Sequence, residues 1–426
     1  MSEVAYQDEG RPQAANQATD VSFVPRISIH GFFEVPESAQ AFQRASVDRR
    51  LSKAHISIQM GGISAAVEHF GHAPTPNLII VESRGGRDAV LAELGSLAQV
   101  CDSGTKVVVI GHLNDVLLYR ELVGQGVSEY VVAPIGEMGI IQTISNLYNT
   151  PGTDPVGRVF TFVGAKGGVG SSTVCHNVSW ALSADLGDDV IVADLDLAFG
   201  TAGLDFNQDP PQGIAEALTA PDRLDEVFLD RLLTKCTEKL SLITAPAVID
   251  RDYTWEDSSL EAVIDVVRRQ VPCFVVDMPH LWTPWAKQTL IASDEVVITA
   301  EPDLANLRNT KALVDLLKAA RPHDSAPRLV LNKVDIPKRP EISADDFASA
   351  VEIEPSLILT YEPQVFGTAA NNGQMIEEMD KNAKPGKAFE HLARLLTGRA
   401  EVARARRSLF SPILGKLSKK KKQDKR

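Results

Sequence analysis

VFTFVGAKGGVGSSTVCHNVSWAL, Val159 to Leu182, is the stretch from which the fold can be read. An apolar, β-favouring run stops at a glycine, and Gly167, Gly168 and Gly170 follow in quick succession. A helix is predicted from Ser171, because Val174, Val178 and Leu182 then recur at helical spacing. Glycine lets successive N–H groups curl to one side, and a helix start leaves its first N–H groups unpaired. With the helix dipole, these amides form a cradle suited to a polyphosphate. The residues predicted to line it are Gly167, Gly168, Val169, Gly170, Ser171, Ser172 and Thr173. The Ser172 hydroxyl is placed for a magnesium ion and Thr173 for the α-phosphate. GxGxxG alone is a weak signal; this longer pattern is a strong one.

Outward from the loop, apolar runs alternate with helical patterns. After VFTFVG come DVIVADLD, LSLITA, CFVVDMP, EVVITAEP, RLVLNKVD and SLILTYEP, nearly continuous in apolar residues. Such strands suit a mostly parallel sheet covered on both faces, here assigned to residues 158–398. Before the loop, RISIHGFF, AHISIQM, NLIIVES, KVVVIGH and EYVVAP alternate with helices over residues 26–149, predicting a smaller α/β unit with a parallel sheet. Residues 150–157 read as a linker, residues 1–25 as a polar, disordered leader, and residues 399–426 as a basic tail.

The 426 residues are 44% hydrophobic and 23% charged, enough for two packed cores. No apolar run reaches the roughly 20 residues that span a bilayer. Cys101, Cys175, Cys236 and Cys273 show no metal-type spacing and read as free thiols in a reducing cytoplasm. The net charge is −13, yet the tail alone holds 11 Lys/Arg against 2 Asp/Glu. An acidic body argues against broad nucleic-acid binding, while the tail offers one local electrostatic contact.

AKGGVGSST resembles the deviant Walker A motif of the MinD/ParA-type P-loop ATPases. The resemblance covers about residues 158–396 and implies ATP with Mg2+, a nucleotide-sandwich homodimer, and Lys166 as the signature lysine reaching the partner's phosphates. Asp194 would act at magnesium through water, Asp196 would orient the attacking water, and Asp277 would be the Walker B carboxylate at the metal. Asn332 in NKVD would contact the base, with Glu362 and Pro363 beside it; the deviant loop favours ATP over GTP. The family's second lysine is absent, because Ser171 stands there. A charged hydrogen bond is worth about 1.5–3 kcal/mol, whereas one positioned cation can be worth roughly 10³–10⁵ in rate. Binding should weaken and hydrolysis should be slow or absent, unless a partner's Lys166 replaces the missing charge.

The first unit resembles a receiver domain, of flavodoxin-like type, without its chemistry. Glu82 stands where the phosphate-accepting aspartate would be, no acid pair follows the first strand, and Ala133 replaces a lysine. A degenerate receiver joined to this loop resembles the CpaE/TadZ family of Flp/Tad-type pilus assembly. That resemblance implies a localisation factor that recruits secretion components such as a secretion ATPase and an inner-membrane platform. Its expected place is cytoplasmic, or peripheral at the inner membrane or cell pole. SPILGKL in the tail predicts a short amphipathic helix able to touch an anionic membrane surface, against the plainer reading of a solvated tail. A non-hydrolysing scaffold and a ParA-like DNA partition ATPase are the alternatives. An iron–sulfur reductase is discounted, since Cys273 lies at the wrong end of its strand.

Overall fold

The computed structural model describes residues 21, 23–102, 104–148, 157–246 and 253–400. The basic tail beyond Ala400 and nearly all of the expected linker lie outside them. The N-terminal sheet is built from β1 (Ser28–Phe33), β2 (His55–Met60), β3 (Leu78–Ser83), β4 (Lys106–Gly111) and β5 (Glu129–Val132), in the order β2-β1-β3-β4-β5. Every pairing is parallel, the doubly wound flavodoxin-like arrangement. Its helices are α1 (Pro36–Ala45), α2 (Gly62–Phe70), α3 (Arg87–Ala98), α4 (Val116–Gly124) and α5 (Glu137–Tyr148). The expected boundary at residue 26 falls late. Val21 and Val24 pack into the core beneath α1 and α5, because their apolar side chains find a face that those helices leave open.

The second sheet has eight strands: β6 (Arg158–Gly164), β7 (Val190–Asp194), β8 (Thr234–Lys235), β9 (Leu240–Ile243), β10 (Cys273–Asp277), β11 (Glu295–Ala300), β12 (Arg328–Val334) and β13 (Pro355–Thr360). Their order is β13-β12-β11-β6-β10-β7-β9-β8, parallel except for β8 against β9. The helices are α6 (Ser171–Ala184), α7 (Ala202–Asp205), α8 (Ile214–Thr219), α9 (Glu226–Leu232), α10 (Asp257–Val267), α11 (Pro284–Ala292), α12 (Leu304–Ala320), α13 (Ala344–Val351), α14 (Pro363–Asn372), α15 (Ile376–Met379) and α16 (Lys384–Leu396). Strand β6 is buried on both faces, and apolar clusters fill the space above and below the sheet. The chain passes from β6 over β10 to β7 and later returns to β10. That crossing opens a crevice at the strand ends, where such sheets bind ligands. Among the described residues no helix is long and apolar enough to cross a membrane.

The two sheets are joined by a buried ionic hub. Asp324, just past α12, receives Arg49 Nε at 2.6 Å and Arg321 Nε at 2.8 Å, and also pairs with Arg50. Arg49 donates onward to the Ala292 carbonyl at 2.9 Å, and its guanidinium stacks on Phe23. Burial works against the Asp324 charge, but Arg49, Arg321 and Arg50 outweigh it and hold the carboxyl below its ordinary value. The joined state therefore binds fewer protons than the opened one, so its stability is complete above the usual carboxylate range and is lost as pH falls below about 4. Asp324→Ala removes the carboxylate that Arg49, Arg321 and Arg50 share and is expected to cost about 3 kcal/mol or more. Denaturant melts at pH 7 check this; an unchanged midpoint would show that the hub does not hold the two units.

Candidate nucleotide site

The loop after β6 has the geometry that its glycines imply. Gly168 and Gly170 adopt φ of 81° and 88°, in the left-handed region that disfavours side chains. A Cβ on Gly170 would also stand 2.6 Å from Asn332 Nδ2. The Ala165 amide completes the sheet by donating to Thr299, and the Val174 amide closes the first turn of α6 onto Gly170. Between them, the amides of Lys166 to Thr173 donate to no acceptor among the described residues. The Ser171 hydroxyl is buried and likewise without a partner. An unpaired run of N–H groups at a helix start is an anion cradle. Lys166 is exposed at its rim; burial works against the Asp303 charge, but hydrogen bonds from Asn306 and then the Lys166 charge hold that carboxyl below its ordinary value.

Parallel register sets Asp277 of β10 directly beside Asp194 of β7. Asp194 Oδ1 accepts from the Asp196 amide at 3.0 Å, and Oδ2 accepts from the Ala202 amide at 3.1 Å. Burial, followed by the negative charge of Asp277, raises Asp194 to about 7. Asp277 Oδ1 is buried with no hydrogen-bond partner among the described residues. Two neighbouring carboxylates, one with an orphaned oxygen, beside a cradle rimmed by Ser172, fit a hydrated magnesium ion held with a polyphosphate. Asp196 is placed differently: its Oδ1 accepts from the Phe199 amide at 3.0 Å, which fixes the turn leading to α7.

The residues at the ends of β12 and β13 also converge with the loop. Gly170, Thr173, Asn332, Tyr361, Glu362, Pro363 and Phe366 line one cleft. Asn332 Nδ2 donates to the Val169 carbonyl at 2.8 Å, so this residue also braces the phosphate loop.

Several contacts escaped the sequence. Lys333 Nζ reaches the Gly168 carbonyl at 2.6 Å and Glu301 at 2.9 Å, and Asn309 Nδ2 holds the Ala165 carbonyl at 2.8 Å. His176, fully buried in α6, has Nδ1 2.7 Å from Asp205 Oδ2 and Nε2 3.3 Å from Asp277 Oδ2. Burial opposes its charge, yet the hydrogen bond to Asp205 and the negative charges of both carboxylates overcome this and raise it to about 10. Nothing in the sequence pattern marks His176, because its partners are distant in the chain.

No protein-family model matches the chain. It is 47% identical to the solved pilus assembly protein CpaE of Caulobacter crescentus CB15 over 30% of this chain and 97% of that one, with a TM-score of 0.29. A ParA family ATPase of Chlorobium tepidum TLS is 26% identical, covering 55% of this chain and 98% of that one, with a TM-score of 0.51. The septum site-determining protein MinD of a Synechocystis strain is 26% identical over 250 residues, which are 57% of this chain and 90% of that protein. The architecture with its glycine loop is that of the P-loop NTPases. By its identity to these relatives, the chain belongs to the CpaE-like MinD/ParA family.

Gly170→Ala forces a Cβ into the left-handed region and against Asn332. It is expected to destabilise the protein by about 1–3 kcal/mol. A thermal melt checks this, and an unchanged midpoint would mean that the loop relaxes freely around the new methyl.

Proposed function

We propose that this protein is an ATP- and Mg2+-binding localisation factor for Flp/Tad-type pilus assembly, dimerising around nucleotide and recruiting secretion components. The observation that carries the nucleotide reading is the unpaired run of amides from Lys166 to Thr173. In that reading the cradle holds the phosphates and the Ser172 hydroxyl joins Asp194 and Asp277 around magnesium through water. Thr173 meets the α-phosphate, and Asn332, Glu362 and Pro363 border the adenine. Magnesium would supply charge neutralisation at the phosphates. Asp196 would orient the attacking water with one of its carboxylate oxygens, the other being held by the Phe199 amide.

The surface around the cradle supports a second copy as partner. Phe199, Leu204, Leu281, Trp282 and Leu304 are each more than half exposed. Leu281 and Trp282 follow His280, and Leu304 follows Asp303, both of which lie by the loop, while Phe199 and Leu204 lie on the segment after Asp196. Exposed apolar side chains on these segments, together with an exposed lysine on the loop, suit an isologous contact in which Lys166 crosses to the partner's phosphates. The pilus reading rests on the likeness to CpaE of Caulobacter crescentus. Location at the cytoplasmic face of the inner membrane or at a pole, with the basic tail on anionic lipid, belongs to the same proposal.

The N-terminal unit would serve as a docking body. The Glu82 carboxylate accepts from the amides of Glu34 and Val35 at 3.0 and 2.9 Å and from Ser38 Oγ at 2.7 Å. It also lies 3.1 Å from His112 Nε2. An acid engaged in this way from inside the protein favours a fixed surface over a phosphorylation switch. The alternative of a non-hydrolysing scaffold draws support from Ser171, which leaves the cradle without an internal lysine.

Isothermal titration with Mg–ATP, combined with light scattering, tests the proposal. The wild type is expected to bind and dimerise, and Lys166→Ala to bind roughly tenfold to a hundredfold more weakly, the equivalent of about 1.5–3 kcal/mol, without dimerising. Equal affinity and self-association in the two proteins would contradict it. Ser171→Lys is expected to raise phosphate release at least tenfold; an unchanged rate would mean that the missing lysine is not what limits turnover.

A further inference from the structure

Helix α7 lies directly after Asp194 and Asp196 and is strapped at both ends. Its first amide, that of Ala202, donates to Asp194 Oδ2. Its last residue, Asp205, takes Thr201 Oγ1 at 3.2 Å and His176 Nδ1 at 2.7 Å on the same oxygen. The other ring nitrogen of His176 faces Asp277. Both straps thus lead to the pair of carboxylates beside the phosphate cradle. The imidazole has no exposed surface, and its ring lies 5.5 Å from that of Phe206, so it has little room to swing independently.

On its other side α7 backs onto the base cleft. A Cβ at Gly373, at the end of α14, would stand 2.8 Å from the Leu204 carbonyl. The start of α14 supplies Pro363 to that cleft. The neighbour of His176, Asn177, accepts from the Ile376 amide at 2.9 Å while its Nδ2 donates to the Thr173 carbonyl at 2.9 Å. Leu204 projects outward from α7 and is largely exposed. A short helix therefore connects the carboxylates, the base cleft and an apolar patch of surface.

We propose that His176 is a positioning residue that couples Asp277 to α7, so that engagement of Asp277 by bound Mg–nucleotide is passed to Asp205 and to the Leu204 surface. This rests on the nucleotide reading above. A geometric requirement supports it: Asp277 cannot shift toward the cradle and keep its 3.3 Å contact unless His176, and with it Asp205, follows. The link from α6 to both carboxylates is what makes α7 responsive.

Hydrogen–deuterium exchange over residues 199–206 with and without Mg–ATP tests the coupling, alongside affinity measured with a fluorescent ATP analogue. In the wild type, Mg–ATP is expected to slow exchange in α7 at least fivefold. His176→Ala and Asp205→Ala are expected to bind the analogue within threefold of the wild type and to lose that change. The double variant is expected to lose no more than either single one. Asp205 is partly exposed, so its variant keeps the test sound if His176→Ala fails to fold. Persistence of the wild-type change in Asp205→Ala would overturn the coupling, as would a wild type that binds ATP with no response in α7. A wild type that binds no nucleotide would overturn the underlying reading and this proposal with it.

Discussion

From Lys166 to Thr173 the backbone gives its N–H groups to no acceptor among the described residues. Folded chains pair the great majority of such groups, because an unpaired amide away from water costs as much as a lost hydrogen bond. A run of them pointing from a glycine turn is stable only because solvent or an anion can reach it. Much of the surrounding structure keeps the turn in that state. Asn332, Lys333, Asn309 and His280 all approach carbonyl groups of Gly164 to Val169, which fixes the loop from behind. Acceptors are occupied and donors are left open, so the loop presents a positive face.

The carboxylates show the complementary constraint. Sheet register alone sets Asp194 against Asp277 in a buried place, and like charges so close cannot both ionise without compensation. The amides of Ala202 and Asp196, and the His176 ring, supply part of it. A divalent cation would supply the remainder. Ser171 sharpens this need, since it brings no charge to the start of α6 and its buried hydroxyl has no partner among the described residues.

Where an element follows from its neighbours in sequence, the reading was direct. The glycine loop, the seven longer strands of the second sheet and all five of the first stand where the apolar runs put them. Glu362 and Pro363 share a cleft with Asn332. Strand β8 was missed because two residues, Thr234 and Lys235, carry no periodic signal. The late boundary at Val21 and the Asp324 hub were missed for a different reason. Both depend on contacts between segments tens to hundreds of residues apart, as in the pair of Arg49 with Asp324. His176 belongs to this second kind, since its partners Asp205 and Asp277 are brought together only by the turn of α6 against the sheet.

The most direct measurement is of the amides themselves. In a TROSY spectrum of glycine-labelled protein, adding Mg–ATP should move the resonances of Gly167, Gly168 and Gly170 well beyond those of glycines such as Gly104 and Gly126. Hydrogen bonding to phosphate oxygens deshields an N–H directly. If these three signals stay in place at saturating Mg–ATP, the loop is not a phosphate cradle.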